Sequence, residues 1–216
     1  MSDAIDHAGI SFRQELVRKG VHLSSLWMVA LIFFWRFGTI HLFYFFGICF
    51  ILNILCEFAY SMNCPVITPL YGKLFRSMLR KTPQRGEWIV SGSPPVFAAA
   101  ALVCLLFPQI IAAQSLGVML TADTAAALIG RRFGKHKLNK SKSVEGTITF
   151  VLVGTLFSLA VFIAGGEFRL DLFIGAVIGV ILAAVAELYE KQLHLDDNLT
   201  IPLLTGLPSA LIFYLF

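Results

Sequence analysis

The sequence predicts an all-α, polytopic membrane protein of about seven transmembrane helices, and three observations carry that prediction. Of the 216 residues, 57% are hydrophobic and only 14% charged, with a mean hydropathy of +0.80. Soluble domains hold roughly 45–50% apolar residues and about a quarter charged ones, so lipid must solvate much of this surface. Apolar runs recur along the whole chain, at about 21–37, 41–60, 93–107, 109–130, 148–164, 172–188 and 202–216. The charges between these runs fall almost entirely on one side. Of 17 Lys and Arg residues, only Arg36 and Arg169 lie in the loops of the other side. The positive-inside rule then places the N-terminus in the cytoplasm and, with an odd number of spans, the C-terminus outside.

The elements follow in order. The first twenty residues are polar, and the run after them has no small-residue cleavage site, so it reads as an anchor rather than a removed signal. Several runs are shorter than the roughly 20 residues of a straight span and must borrow flanking residues. Pro108 divides 93–107 from 109–130 and requires a very tight turn there. Between Pro65 and Pro83, Ile67, Leu70, Leu74, Met78 and Leu79 recur at helical spacing, with Lys73, Arg76 and Arg80 opposite. This pattern is a cytoplasmic interfacial amphipathic helix, either a plain connector or a lateral gate for a lipid substrate. Gly175 and Gly179 form a GxxxG motif that serves helix packing within the chain or, alternatively, a homodimer seam. No internal repeat or low-complexity linker divides the chain, so residues 1–216 read as a single domain.

Composition also excludes some functions. The net charge of +4 is modest and no basic stripe is interleaved with aromatics, so no nucleic-acid partner is expected. Cys49, Cys56, Cys64 and Cys104 form no CxxC or Cys/His metal spacing and read as small hydrophobes.

Ionisable groups within apolar spans are costly, which makes each a candidate for function. Asp123 is the sharpest. It lies about two turns inside its span, and its small neighbours Ala122, Thr124, Ala126 and Ala127 leave room for something to approach. The competing reading is a structural carboxylate paired with an Arg on another helix. Glu57 and Glu187 lie near span ends, with Asn53 one turn from Glu57 on the same face. Glu15, Arg18, Lys19 and His22 share one polar face just before the first span. Between residues 131 and 147 a loop carries Arg131, Arg132, Lys135, Lys137, Lys140 and Lys142, together with Gly134, Ser143, Glu145 and Thr147 at the start of the next helix. Cations beside a helix N-terminus suit phosphate. The Gly130-to-Lys135 stretch has the wrong spacing for a P-loop and follows a membrane helix rather than a strand.

These residues carry a resemblance. Asp123-Thr-Ala-Ala-Ala-Leu-Ile-Gly-Arg-Arg-Phe-Gly134-Lys-His, followed by Lys142-Ser-Val-Glu-Gly-Thr147, resembles the signature of the membrane lipid kinases that include dolichol kinase, phytol kinase and CTP-dependent diacylglycerol kinase. Glu15-Leu-Val-Arg-Lys-Gly-Val-His22 is similar to the family's opening, and Glu187 with Asp197-Asn198-Leu-Thr-Ile-Pro202 to its last cytoplasmic patch. Ala122 departs from the family's usual Gly before the Asp. The resemblance implies transfer of the γ-phosphate of CTP to a lipid alcohol by an enzyme of lipid metabolism in the cell (inner) membrane, its active site facing the cytoplasm. It also implies kinship with phosphatidate cytidylyltransferases. Under it, Asp123 binds Mg²⁺ with Glu145 or Glu187 as a second carboxylate, and His22 joins the catalytic set. Arg18, Lys19, Arg131, Gly134, Lys135, Lys137, Lys142, Ser143 and Thr147 then surround the nucleotide, with Glu15, Asn53, Glu57, Asp197 and Asn198 as further polar candidates. A cytidylyltransferase and a small transporter are the rival readings; no paired halves of the kind common in transporters are visible.

Overall fold

A computed structural model describes residues 12–62, 64, 65, 67, 92–139, 142–193 and 196–216. Eight helices account for most of them. They are α1 (Phe12–Ser24), α2 (Leu26–Phe34), α3 (Thr39–Ser61), α4 (Ser93–Leu106), α5 (Gln109–Phe133), α6 (Val144–Ala164), α7 (Leu170–Leu193) and α8 (Asp197–Leu215). The proposed interfacial helix over 65–83 lies outside the described residues, apart from Pro65 and Ile67.

Among the described residues six helical stretches are long and apolar enough to cross a membrane, one being the α1–α2 run from Glu15 to Phe34. A seventh, α4, has 14 residues and would span about 21 Å at 1.5 Å per residue, short of a typical bilayer core of about 30 Å. Several helices outrun the apolar runs of the sequence because capping residues start them early. Ser143 accepts a hydrogen bond from the Gly146 N–H, so α6 starts at Val144 rather than at 148. Asp196 accepts from the Asn198 N–H, so α8 starts at Asp197 rather than at 202. Phe107 and Pro108 alone separate α4 from α5, the tight turn predicted at Pro108. A second turn, between α2 and α3, passes through Gly38 at φ +86°, a backbone conformation that favours glycine.

Helix α5 is the centre of the bundle. Every residue from Ile111 to Leu120 is buried. Of its apolar window, 78% is buried, against 17–44% for the other candidate spans. It packs on α1, α2, α4, α6 and α8. The outer helices keep apolar faces uncovered: Ile48, Ile51, Leu52 and Leu55 on α3, and Ile148, Leu152, Leu156 and Ile163 on α6, are each more than half exposed. In water such stripes would drive aggregation, whereas in a bilayer they face chains of their own kind.

Small residues set the helix spacing. A Cβ on Gly179 would lie 2.2 Å from the Thr205 carbonyl oxygen, and one on Gly175 would lie 3.0 Å from the Ser209 Cα. The GxxxG face of α7 is therefore occupied by α8 of the same chain. At the α5–α6 crossing, a Cβ on Gly146 would lie 3.0 Å from the Ala126 carbonyl oxygen and 3.3 Å from the Gly130 Cα. This crossing leads directly into the loop that follows Asp123's helix.

Candidate active site at the Asp123 end of the bundle

Chain order alone puts Lys19 and Asp123 104 residues apart; packing of α1 on α5 joins them. The Lys19 ammonium donates to Asp123 Oδ2, and the two residues are 3% and 5% exposed. His22, one turn on, places Nε2 3.5 Å from the same oxygen. Glu15 turns the other way and holds Arg18 through a 2.6 Å hydrogen bond from Nη2 to Oε1. The four-residue polar face thus stands on a helix continuous with the first span, rather than just before it. Its burial is tolerable because the charges are matched across to α5 and along α1. In this structure the group that approaches Asp123 is the Lys19 ammonium. The structural reading of Asp123 foresaw an ion pair with Arg; the partner is Lys.

A second pair repeats this arrangement. Lys142, at the end of the α5–α6 loop, donates to Glu187 Oε1 on α7. Asn139 braces the loop, accepting from the Lys142 N–H at 2.8 Å and donating to the Leu188 carbonyl at 3.0 Å. The loop folds back on itself through the Leu138 N–H to the Lys142 carbonyl and the Val144 N–H to the His136 carbonyl. Glu187 lies within electrostatic reach of both Asp123 and Asp197. Arg18 is likewise within reach of Asp123 and Asp197, and Glu15 of Arg131. Five segments, namely α1, α5, the loop, α7 and α8, therefore bring their charges to one end of the bundle.

Other candidates stand elsewhere. Glu145 turns to His136, accepting from its ring Nδ1 at 2.8 Å and from its backbone N–H at 3.2 Å. Lys135 and Lys137 are exposed on the loop, and Thr147 lies in the first turn of α6. Asn53 accepts from the Ser93 hydroxyl at 3.2 Å, at the α3–α4 contact, and Glu57 is buried one turn further along α3. Asn198 is bound to Asp196 through both its backbone and its side-chain amide. Gly134 has ordinary backbone angles, and its constraint is space: a Cβ there would lie 2.1 Å from the Gly130 carbonyl and 2.5 Å from Ser143 Oγ. Asn139 was missed in the sequence reading. Its signal was a local one, since Asn in a polar loop commonly accepts from a backbone N–H nearby.

Among the described residues no three His, Cys, Asp or Glu side chains form a ready-made metal cluster. Mg²⁺ does not require one, since it typically takes one or two carboxylates and completes its shell with phosphate oxygens and water. Lys19 and His22 both approach Asp123 at Oδ2, and Oδ1 takes part in neither contact. Asp123, with Glu187 and Asp197 nearby, thus suits a cation that arrives with a phosphate ligand.

Comparison with known proteins gives relatives of moderate identity. A CTP-dependent diacylglycerol kinase of Schizosaccharomyces pombe is 27% identical over 163 residues, covering 71% of each chain. A probable chloroplastic phytol kinase of Oryza sativa subsp. japonica is 37% identical over 98 residues, 42% of this chain and 32% of that protein. An uncharacterized protein of Rickettsia prowazekii is 29% identical over 143 residues, 66% of this chain and 69% of its own. No family model and no solved structure matches. The relatives whose names state an activity are kinases of lipid alcohols, and the similarity to them supports a lipid kinase built on the apolar helices described above.

Proposed function

We propose that this protein phosphorylates a membrane lipid alcohol with CTP as donor, at the Asp123 end of its bundle. The observation that carries the reading is the convergence of buried and half-buried, oppositely charged side chains from α1, α5, α7 and the α5–α6 loop at one end of an otherwise apolar structure. Intramembrane charge is costly and marks function by default. The diacylglycerol kinase relative supports both the acceptor class and the nucleotide. The lipid is a polyprenol, a phytol-like alcohol or a diacylglycerol. The charge asymmetry of the loops supports a cytoplasmic location for this end of the bundle, in a multi-pass protein of the cell membrane.

Phosphoryl transfer asks a protein mainly for position and for charge to meet the phosphate oxygens. Asp123 would hold Mg²⁺, which neutralises charge on the transferring group. Glu187 is the better second carboxylate, because it shares the electrostatic neighbourhood of Asp123 while Glu145 is engaged with His136. Lys19, Lys142, Arg18 and Arg131 would grip the triphosphate, and Lys135 and Lys137 would draw it in from solvent. We assign His22 to the lipid hydroxyl. Its Nε2 is buried, has no hydrogen-bond partner among the described residues, and stands beside Asp123. The hydroxyl oxygen bonds to the γ-phosphorus, CDP leaves, and the hydroxyl proton passes to His22. The surrounding apolar helices keep bulk water away from the transferring group.

Product analysis tests the proposal. Purified protein in lipid nanodiscs should transfer label from γ-labelled CTP to one of a panel of lipid alcohols and release CDP. Release of pyrophosphate with CMP joined to a phosphatidate would instead make it a cytidylyltransferase. Absence of both products across the panel would remove the enzymatic reading.

A further inference from the structure

We propose that Lys19 and Lys142 mask the carboxylates of the substrate-free centre, so that nucleotide and divalent cation bind by displacing them and each ligand opens the site for the other. This rests on the kinase reading above. Its observation is the pairing itself. The two carboxylates best placed for a metal, Asp123 and Glu187, each carry a lysine ammonium from a different segment of the chain. Those lysines are also among the cations that would hold the triphosphate. An ammonium on one oxygen of a carboxylate repels a divalent cation approaching the other oxygen, and an ammonium held on a carboxylate is withheld from a phosphate.

Lysine suits exchange. It is a compact charge on a flexible four-carbon stem, unlike the planar fork of arginine. Both masks come from outside the helix they cover: α1 supplies Lys19 to α5, and the α5–α6 loop supplies Lys142 to α7. A swing of the side chain therefore moves the charge without breaking the carboxylate's own helix. His22 sits on α1 one turn beyond Lys19, so a swing of the Lys19 side chain does not require it to move.

The consequence is thermodynamic. A ligand that binds only an unmasked fraction of the protein has its apparent affinity reduced by that fraction, and a first ligand that removes the mask gives positive cooperativity. Coupling between two binding ligands is reciprocal. Metal alone should bind poorly, nucleotide alone should bind poorly, and the two together well.

Removing a carboxylate also raises affinity for an anion through space, which calls for a matched control. Asp197 supplies it. It lies within electrostatic reach of Asp123, Lys19 and Lys142 yet makes no ion pair among the described residues. Asp197→Asn therefore removes one negative charge from the same neighbourhood without releasing a lysine.

The test measures two equilibria on the full chain in detergent: CTP binding in EDTA by calorimetry, and Mn²⁺ binding without nucleotide by electron paramagnetic resonance. Wild-type protein should bind CTP at least about tenfold more tightly with Mg²⁺ than without, within the usual range of coupling. Asp123→Asn should bind CTP in EDTA at least about tenfold more tightly than either wild type or Asp197→Asn, and should lose the Mg²⁺ coupling. Lys19→Met should bind Mn²⁺ alone at least about tenfold more tightly than wild type. Equal CTP affinity in Asp123→Asn and Asp197→Asn, or no gain of Mn²⁺ binding in Lys19→Met, overturns the mask. If either inner variant fails to fold, Glu187→Gln and Lys142→Met ask the same question at the pair whose lysine is 24% exposed, and no gain there overturns it as well. Gain of Mn²⁺ by Lys19→Met with no CTP binding in any form keeps the mask and removes the nucleotide reading.

Discussion

The two ends of α5 handle polarity in opposite ways. At its start, Gln109 donates to the carbonyls of Ile32, Phe33 and Trp35, and further along Gln114 donates to the Ser158 hydroxyl, which itself donates to the Gly154 carbonyl. These groups are neutral, and Gln109 and Ser158 end on backbone carbonyls. At the other end stand Asp123 and Arg131, with Lys19, Lys142 and Glu187 drawn in from elsewhere. Those groups are charged, and the cations among them sit on long stems. The first end holds helices together; the second could change partners without changing the fold. Burial alone does not tell them apart, since Gln114 is more deeply buried than Asp123. The difference lies in charge and in the freedom of the partner.

Substitutions at the two ends should separate along that line. The largest effect belongs to Asp123→Asn. Turnover should fall at least about 100-fold, roughly 3 kcal/mol of transition-state stabilisation. Because Lys19 would be left buried without its partner, thermal unfolding in detergent should also show a loss of about 3–5 kcal/mol. A variant with wild-type turnover would erase the distinction between the two ends.

Next comes Gly134→Ala. The added methyl has no space between the Gly130 carbonyl and Ser143, and overpacking of this kind costs about 1–3 kcal/mol. Since Gly134 opens the loop that carries Lys142, turnover should drop with stability, and CTP should protect the variant less well against thermal unfolding. Full activity in a stable Gly134→Ala protein would show that loop geometry does not set the site.

Gln114→Leu should be milder, because hydrogen bonds between membrane helices average about 0.6 kcal/mol. A small shift in melting temperature with unchanged turnover is expected; loss of turnover without loss of stability would extend the chemistry to the neutral end. Smallest of all is Asp171→Asn. Its ion pair with Arg169 is well exposed on both sides, where solvent screens the attraction and little stability rests on it. Melting temperature and activity should both stay within error.

How far the sequence foretold this arrangement depends on the kind of interaction. Apolar runs and Pro108 are local signals, and the helices and the α4–α5 turn follow from them. Asp123 stood out because a carboxylate inside a span costs free energy whatever its partner. The partner itself was not legible. Lys19 lies in a polar face that the sequence sets just before the first span, and only the packing of α1 against α5 buries it on Asp123. Glu145 and Glu187 looked equivalent as second carboxylates until the loop fold tied one to His136 and brought Lys142 to the other. The GxxxG motif announced a close helix contact but did not by itself name the partner; Thr205 and Ser209, small residues at the same four-residue spacing, are what α8 sets against it.

The most direct measurement uses the double variant Lys19→Met/Asp123→Asn. Replacing both members of a buried pair removes the stranded charge, and such replacements are often neutral or stabilising. Its melting temperature should therefore recover to within a few degrees of wild type. If the pair is the chemical centre, transfer of labelled γ-phosphate from CTP to lipid should remain at least about 100-fold below wild type in this well-folded protein. Near wild-type transfer by the stable double variant would contradict the account and leave Lys19 and Asp123 as a structural ion pair.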